Sequence, residues 1–392
     1  MRYVDSIFAA LLKPIDRRAF KGLVERHAAD AYDKSFGSWQ HLVALLYAQL
    51  SGADSLRAVV AGWNAHAHHH YHLGGGPLAR STLADANRRR PAGPFATLFE
   101  SVAAQLDRGG RAEGRAMLRL LDATPIPLGP LSACATWNGR IRGLKMHLVY
   151  DPAADRPGRV EITSATVNDI AVGRTVPLEP GATYVFDKGY CHYGWWTEIA
   201  AAGACFVTRP KNNARWRVIA TRAVPDPAGD GFRVLADDEV ALASRGDSKL
   251  PLRLRRLRVE REDTRRRGGT VITLLTNDLQ RSAVEIGALY KTRWQIELLF
   301  RWIKQHLKIK RFLGRSENAI RLQILAAMIA FALLRLAARR HLLALPALRL
   351  TELAGACLFT RKPLARIDKP PETHPHRRQP SVSPNQYAFS YV

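Results

Sequence analysis

Cysteine is scarce in this 392-residue chain, and its placement excludes one class of protein. The four cysteines form no CxxC pair and no dense framework; they are Cys134, Cys191, Cys205 and Cys357. A secreted scaffold held together by disulfides is therefore excluded, and we expect a reducing cytoplasm. Five histidines lie between positions 66 and 72, but partner cysteines at structural-zinc spacing are lacking. We favour surface histidines over a zinc site there.

Long apolar runs are also lacking. The first turns carry both acidic and basic residues and no uninterrupted apolar core, so we expect no signal peptide. The most hydrophobic segment, residues 324 to 334, lies between Arg321 and Arg335 and is too short to cross a bilayer. We expect it to form a buried helix packed on a sheet.

Acidic residues are outnumbered: 34 Asp plus Glu stand against 59 Lys plus Arg, giving a net charge of +25. The isoelectric point is near 10.5. Such an excess predicts a polyanionic partner bound through phosphate contacts. Charge alone does not separate an enzyme from a packaging protein, and the arginine-rich runs at 88–90 and 253–267 are equally compatible with a solvated surface.

Four polar side chains share one predicted helix. Tyr290, Arg293, Glu297 and Lys304 are spaced so that they lie on a single stripe of one continuous helix. A capping-box pattern over residues 282–285 marks its start. A phenol, an arginine, a carboxylate and a lysine suit a metal ion beside a phosphate. The alternative is a solvated salt bridge between Arg293 and Glu297.

Two aspartates each follow a short apolar run that is typical of a buried strand. The runs are residues 117–121, before Asp122, and residues 182–186, before Asp187. Carboxylates brought together in a poorly solvated place repel one another unless cations neutralise them, and Mg²⁺ or Mn²⁺ is the usual partner of such a set. Either aspartate alone would more often be a turn or cap residue.

With these motifs the chain resembles the DDE transposases of bacterial insertion sequences, in particular the insertion-sequence-4 family. The Tyr-x2-Arg-x3-Glu-x6-Lys signature of that family is matched at residues 290–304. Similar segments occur at residues 122–124, 145–151, 166–169 and 186–190. The resemblance covers roughly residues 1 to 340 and implies an α/β fold: an RNase-H-like catalytic core with a β-strand-rich insertion, preceded by an all-helical DNA-binding domain.

The resemblance also implies a chemistry. Asp122, Asp187 and Glu297 are expected to bind two Mg²⁺ ions, for which Mn²⁺ can substitute, and to nick DNA at the transposon end. The freed 3′-hydroxyl then attacks, commonly through a DNA hairpin, and strand transfer into target DNA follows. Tyr290, Arg293 and Lys304 are expected to clamp phosphates near the cleaved end.

The domain boundaries follow from composition and spacing. We expect an N-terminal helical DNA-binding domain over residues 1–108 and the catalytic domain over residues 112–345. The long gap between the second and third acids predicts a β-rich insertion at about 211–279, because a structureless loop of that length is improbable. Residues 366–392 are Pro-rich and basic and are expected to form a flexible tail.

Further DNA contacts are predicted outside the three acids. Helices over residues 56–64 and 82–89 are expected to form a helix-turn-helix-like pair. The side chains of this pair that we expect to face DNA are Arg80, Asn87, Arg88 and Arg89. Trp216 and Trp294 have basic neighbours and are candidates for stacking on an exposed base, with core packing as the alternative.

The sequence thus predicts a transposase acting on double-stranded DNA, both terminal inverted repeats and target, as a homodimer in a paired-end complex. We expect it in the bacterial cytoplasm with the nucleoid and not at a membrane. Two alternatives stay open: a nuclease on the same fold without strand transfer, and a non-catalytic DNA-binding repressor derived from a transposase. The presence of all three acids disfavours the repressor.

Overall fold

The computed structural model describes residues 4–31, 33, 35–107, 117–129, 132, 134–224, 228–242, 252–261, 269–306 and 312–369. The predicted tail beyond residue 369 and residues 262–267 of the arginine-rich run lie outside this part of the chain. The described residues before position 108 form helices. These are α1 (Ile7–Leu12), α2 (Arg17–Arg26), α3 (Ser38–Ser51), α4 (Leu56–Asn64), α5 (His70–Leu73), α6 (Arg80–Arg89) and α7 (Gly93–Ala104).

Side-chain caps set where several of these helices begin. Asp16 accepts hydrogen bonds from the backbone N–H groups of Arg18 and Ala19 at the start of α2. Ser55 accepts one from Ala58 at the start of α4. Such caps satisfy N–H groups that have no partner inside the helix, and each contributes about 1 kcal/mol. Helices α4 and α6 lie where the sequence predicts them, to within two residues at either end.

One sheet of eleven strands follows in the described residues. Its strands are β1 (Leu118–Pro127), β2 (Thr136–Trp137), β3 (Arg142–Asp151), β4 (Arg156–Ser164), β5 (Thr183–Phe186), β6 (Cys205–Thr208), β7 (Trp216–Arg222), β8 (Ala228–Gly229), β9 (Phe232–Leu242), β10 (Leu254–Arg261) and β11 (Thr270–Thr276). The order is β2-β3-β1-β5-β6-β11-β10-β9-β7, with β4 beside β3 and β8 beside β9. Strands β1, β5 and β6 are parallel neighbours.

The remaining helices lie between and after these strands. They are α8 (Asp169–Gly173), α9 (Tyr193–Ala201), α10 (Ala283–Thr292), α11 (Trp294–His306), α12 (Glu317–Arg340) and α13 (Ala347–Ala356). Helix α9 connects the parallel strands β5 and β6 and buries Trp195, Trp196 and Ile199. Helix α10 begins with the predicted capping box between Ser282 and Glu285.

The strands predicted for the insertion continue the same sheet. Strand β11 pairs with β6 at Leu275 and Thr276, and β10, β9 and β7 follow outward from it. A buried ion pair fixes this extension, since Arg255 donates to Asp237 at 3.0 and 2.5 Å and to the backbone oxygens of Asp278 and Arg281. Both ionic side chains are 3 % exposed or less. With its donors occupied in this way, the guanidinium ties β9 and β10 to the segment that enters α10.

Helix α12 is the apolar centre of the molecule. By length and composition it could cross a membrane, but 89 % of its most apolar window is buried inside the protein, as in a core helix. The sequence predicts this helix packed on the sheet; it lies mainly against α3, α6 and α7 and only marginally against β4. That prediction is wrong in its partner because both faces of the Ala- and Leu-rich segment are covered, mostly by N-terminal helices.

A polar network joins the N-terminal helices to α12. Nε2 of His41 lies 2.7 Å from Oδ1 of Asn87, and Nδ2 of Asn318 donates to the backbone oxygens of Asn87 and Arg90. Asn87 is 3 % exposed. The prediction that it faces DNA is therefore wrong, since its amide is used inside the fold.

The histidines after α4 also pack inward in part. The ring of His70 stacks on Trp63 with centroids 4.4 Å apart, and His66 stacks on Phe359 at 4.0 Å. His69 and His70 are buried, so the expectation of surface histidines is wrong for these two. Their aromatic neighbours supply the apolar surface that makes burial of a neutral imidazole favourable.

Stability should fall in mild acid through His41. Burial lowers its pKa to about 4, so between pH 6.5 and 4 the unfolded chain binds the proton and the folded chain does not. Lowering the pH from 7 to 5 should cost about 2 kcal/mol at this residue. Urea unfolding should show that loss in the wild type and in the control His68→Gln, on an exposed histidine. The loss should be about 2 kcal/mol smaller in His41→Gln; equal losses would contradict the assignment.

Candidate functional site

Two of the predicted acids occupy equal positions on neighbouring strands. Strand β1 pairs in parallel with β5, with Leu121 opposite Phe186, and Asp122 and Asp187 each follow that pair by one residue. Neighbouring strands lie about 4.8 Å apart, so this register sets the two carboxylates side by side. The sequence predicts that Asp122 follows the end of its strand, and this prediction is wrong. Strand β1 runs on to Pro127 because its other edge pairs with β3 over that length.

The third acid lies on α11, after a break in the predicted helix. The sequence predicts one continuous helix from residue 283 to residue 304, but α10 ends at Thr292 and α11 begins at Trp294. The hydroxyl of Thr292 donates to the backbone oxygen of Leu289 at 2.6 Å, and the N–H of Arg293 donates to Tyr290 in a tighter turn. Such side-chain competition for a helical carbonyl disturbs the regular pattern.

Arg293, at this break, joins the first and third acids. Its guanidinium donates to Oδ2 of Asp122 at 3.3 Å and to Oε1 of Glu297 at 2.5 Å. The exposed fractions of the three side chains are 17 %, 19 % and 31 %. Arg293 and Glu297 do form the salt bridge of the predicted alternative, but it is not a solvated surface pair. Its side chains are partly buried, and Arg293 also contacts Asp122 on a strand that is distant in sequence.

Burial and charge act together on Asp122. Burial raises its pKa to about 6; Arg293 opposes that rise, and Glu297 and Asp187 add to it. A carboxyl whose ionisation is disfavoured by two neighbouring carboxylates lies in a concentration of negative charge that a cation would relieve. The donor set of three carboxylates is the set preferred by Mg²⁺ or Mn²⁺. The chemistry of these residues fits such an ion, although no group of three His, Cys, Asp or Glu side chains among the described residues is already placed to hold one.

A cavity of about 720 Å³ lies between α10 and strands β9 to β11, and Arg293, which contacts two of the acids, forms part of its wall. Its lining includes Tyr290, Arg293, Lys291 and the half-exposed Trp294. Nε of Arg293 is buried without a hydrogen-bond partner among the described residues, and the buried hydroxyl of Tyr290 lies within hydrogen-bonding reach of the same guanidinium. Both groups are hydrogen-bond donors at the wall of the cavity. The sequence does not predict this cavity, whose apolar wall is formed by residues distant along the chain.

The other predicted DNA-contacting residues lie in different places. Lys304 is half-buried on α11, two turns after Glu297. Trp294 is 47 % exposed, with the guanidinium of Arg301 5.5 Å from its ring centre. Arg80 and Arg88 are exposed on α6, which packs mainly against α12 and α4, and Arg88 pairs with Asp85 at 2.8 Å.

Trp216 lies at the start of β7, far along the sheet from β1. The guanidinium of Arg256 lies 5.3 Å from its ring centre, and the ring packs partly against a buried apolar cluster. Five strands of the sheet lie between β1 and β7 in the order given above. The structure therefore places Trp294, and not Trp216, on the helix that carries Glu297.

Comparison of the sequence with known protein families identifies the class to which the chain belongs. The family described as "Transposase DDE domain" matches residues 113–333, and a domain of unknown function, DUF4372, matches residues 4–75. The chain belongs to the DDE transposase family. The resemblance predicted from the sequence is confirmed.

Individual relatives agree with this assignment. The chain is 60 % identical to y4zB of Sinorhizobium fredii, which is described as a transposase, over 79 % of this chain and 86 % of that protein. It is 25 % identical to a protein of Synechocystis described as a transposase for insertion sequence element IS4SA, over 65 % and 71 % of the two chains. The fold is similar to that of piggyBac transposase, with a TM-score of 0.50 and 9 % identity over 95 % and 84 % of the chains.

Removing the bridging arginine should destabilise the metal-free protein. Arg293→Gln leaves the Asp122 and Glu297 carboxylates without their cation, which should cost about 1–3 kcal/mol in urea unfolding with EDTA. Arg321→Gln is the matched control, since it breaks an exposed helical Arg–Glu pair with Glu317 and should cost about 0.5 kcal/mol or less. Equal losses of stability in the two variants would show that the Arg293 bridge contributes no more than an exposed ion pair.

Proposed function

We propose that the chain catalyses DNA transposition by a DDE mechanism, in which Asp122, Asp187 and Glu297 of an RNase-H-like core cleave transposon-end DNA and transfer the strand into target DNA. The observation that carries the proposal is the register of β1 and β5. It sets two carboxylates side by side, and Arg293 links one of them to Glu297. Membership of the transposase family supports it.

The three acids would hold divalent ions of the Mg²⁺ or Mn²⁺ type, two in number. When bound, these ions supply charge that activates a water and stabilises the leaving oxygen in phosphodiester cleavage. The protein's part is to present the acids on rigid elements: Asp122 within a paired strand, Asp187 at the end of a buried one and Glu297 on a helix. Such placement keeps the reacting groups aligned.

Cationic and phenolic groups beside the acids would position the DNA. The hydroxyl of Tyr290 and Nε of Arg293 are donors suited to a phosphate oxygen at the cleaved end. Lys304 continues the same line of groups, and Trp294 offers an exposed ring for a base displaced from the duplex. The cavity beside these residues is large enough for part of a nucleotide.

The rest of the chain would serve recognition and assembly. We place terminal-repeat binding in the N-terminal helices, with the exposed Arg80 and Arg88 of α6 as contacts. The net charge of +25 suits double-stranded DNA as terminal repeat and target. The piggyBac neighbour was solved as a synaptic complex with hairpin DNA. By analogy we assign this chain a homodimeric paired-end complex and a bacterial cytoplasmic, nucleoid-associated location.

Cleavage of a labelled duplex carrying the element's terminal repeat tests the proposal. With Mg²⁺ the wild type should nick the end, and EDTA should abolish nicking. Glu297→Gln should lower the single-turnover rate constant by at least about 10³-fold while the dissociation constant for DNA changes less than about threefold. Glu317→Gln, an exposed acid at the start of α12, is the control and should cleave at the wild-type rate.

Three results would contradict the proposal in different ways. Binding without cleavage by the wild type would favour a repressor. Cleavage of the duplex without joining of precut ends to target DNA would favour a nuclease. Unchanged cleavage by Glu297→Gln would remove that residue from the site.

A further inference from the structure

A half-buried ion pair lies close to the turn that follows Asp187. Nζ of Lys145, on β3, donates to Oδ1 of Asp169 at 2.8 Å and to the backbone oxygen of Val167 at 2.8 Å. The exposed fractions of the Lys145 and Asp169 side chains are 17 % and 28 %. His147, two residues along β3, donates or accepts at Thr163 and lies 3.9 Å from the same carboxylate oxygen. Lys145 therefore anchors the first turn of α8 to the sheet.

Helix α8 in turn contacts the segment that carries Asp187. The backbone of Gly189 approaches Asp169 so closely that a methyl group on it would lie 3.0 Å from Oδ2 of that aspartate. A methyl group on Gly173 would lie 2.8 Å from the ring of Tyr190. Both ends of the helix thus touch the turn 188–190, and any bulk at either glycine would push them apart.

This contact lies on the face of the sheet opposite to Asp122. Side chains alternate along a strand, and Leu120 belongs to the same apolar cluster as α12, whereas Leu121 belongs to the cluster with α9. Asp122 falls on the side of Leu120. In β3, Lys145 and His147 pair with Pro125 and Ala123, which places them on the other side.

We propose that Lys145 and Asp169 are positioning residues that hold the turn after Asp187 against the sheet and thereby fix Asp187 beside Asp122. The inference rests on the proposed function for the identity of the acids. Asp187 needs such support because β5 ends immediately before it at Phe186, whereas Asp122 lies within a strand paired on its other edge. Its carboxylate accepts a hydrogen bond from Lys188 at the start of the same turn.

A simple solvated ion pair would not have this effect. Pairs at the surface contribute about 0–1 kcal/mol and restrict little. The pair between Arg174 and Glu198, at the other end of α8, is of that kind, with exposed fractions of 47 % and 46 %. Breaking the Arg174–Glu198 pair removes an ion pair from the other end of the same helix and therefore provides a matched control.

The test compares Asp169→Asn and Lys145→Met with Arg174→Gln in the full chain. Three quantities are measured: Mn²⁺ affinity of the DNA-free protein by electron paramagnetic resonance, amide exchange of residues 188–191, and single-turnover cleavage of end DNA. We expect Mn²⁺ affinity to fall about tenfold in the first two variants, the size typical of groups that orient metal ligands. Exchange in the turn should rise and cleavage should fall at least tenfold, with DNA affinity unchanged within about twofold.

Lys145→Arg should restore Mn²⁺ affinity to within about threefold of the wild type, since it keeps the charge and a donor. Wild-type Mn²⁺ affinity and exchange in Asp169→Asn would overturn the proposal, as would equal losses in Arg174→Gln. If the wild type binds Mn²⁺ but cleaves no DNA, the proposed function fails while the affinity and exchange arms still decide the positioning role.

Discussion

The burial of Asp122 beside two further carboxylates is the constraint on which the site depends. Parallel pairing of β1 and β5 sets Asp122 and Asp187 at the same height on adjacent strands. The break between α10 and α11 then brings Glu297 to Asp122 through Arg293. The raised pKa of Asp122, about 6, expresses the cost of ionising it in this place. The guanidinium of Arg293, which bridges Asp122 and Glu297, lowers that cost.

The surrounding structure holds the elements that carry the acids in place. Strand β1 is paired on both edges, and the sheet continues through β6 and β11 into the outer strands. The buried Arg255–Asp237 pair ties those strands to the segment that enters α10. Helix α12 packs mainly against the N-terminal helices, and one apolar cluster includes their residues together with residues of the sheet. Rigid elements of this kind keep acids in place where a loop would let them separate.

Much of the scaffold could be predicted because it depends on local patterns. Helix α4 has the predicted bounds, since helical periodicity is a local signal. The match of the four-residue signature predicted the family. Two of the predicted acids, Asp122 and Asp187, also come together, since the strands that carry them pair in parallel.

What the sequence could not predict arises from contacts distant along the chain. Asn87 looks like an exposed polar residue on a basic helix, but His41 and Asn318 pair with its polar groups. At the helix break before Arg293, the hydroxyl of Thr292 donates to the backbone oxygen of Leu289, a contact that the helical pattern of the sequence does not reveal. The partner of α12 could not be chosen from its uniformly apolar composition, because helices and a sheet cover such a surface equally well. The catalytic roles of the acids stay predictions.

The account's central claim is that Asp122, Asp187 and Glu297 form one cation site. A crystal structure of the chain soaked in Mn²⁺, with data collected at the manganese absorption edge, tests this most directly. We expect anomalous density bound by carboxylate oxygens of all three residues, with the guanidinium of Arg293 displaced from Asp122. Manganese at other residues, or the Arg293 bridge intact beside a site without density, would contradict the account.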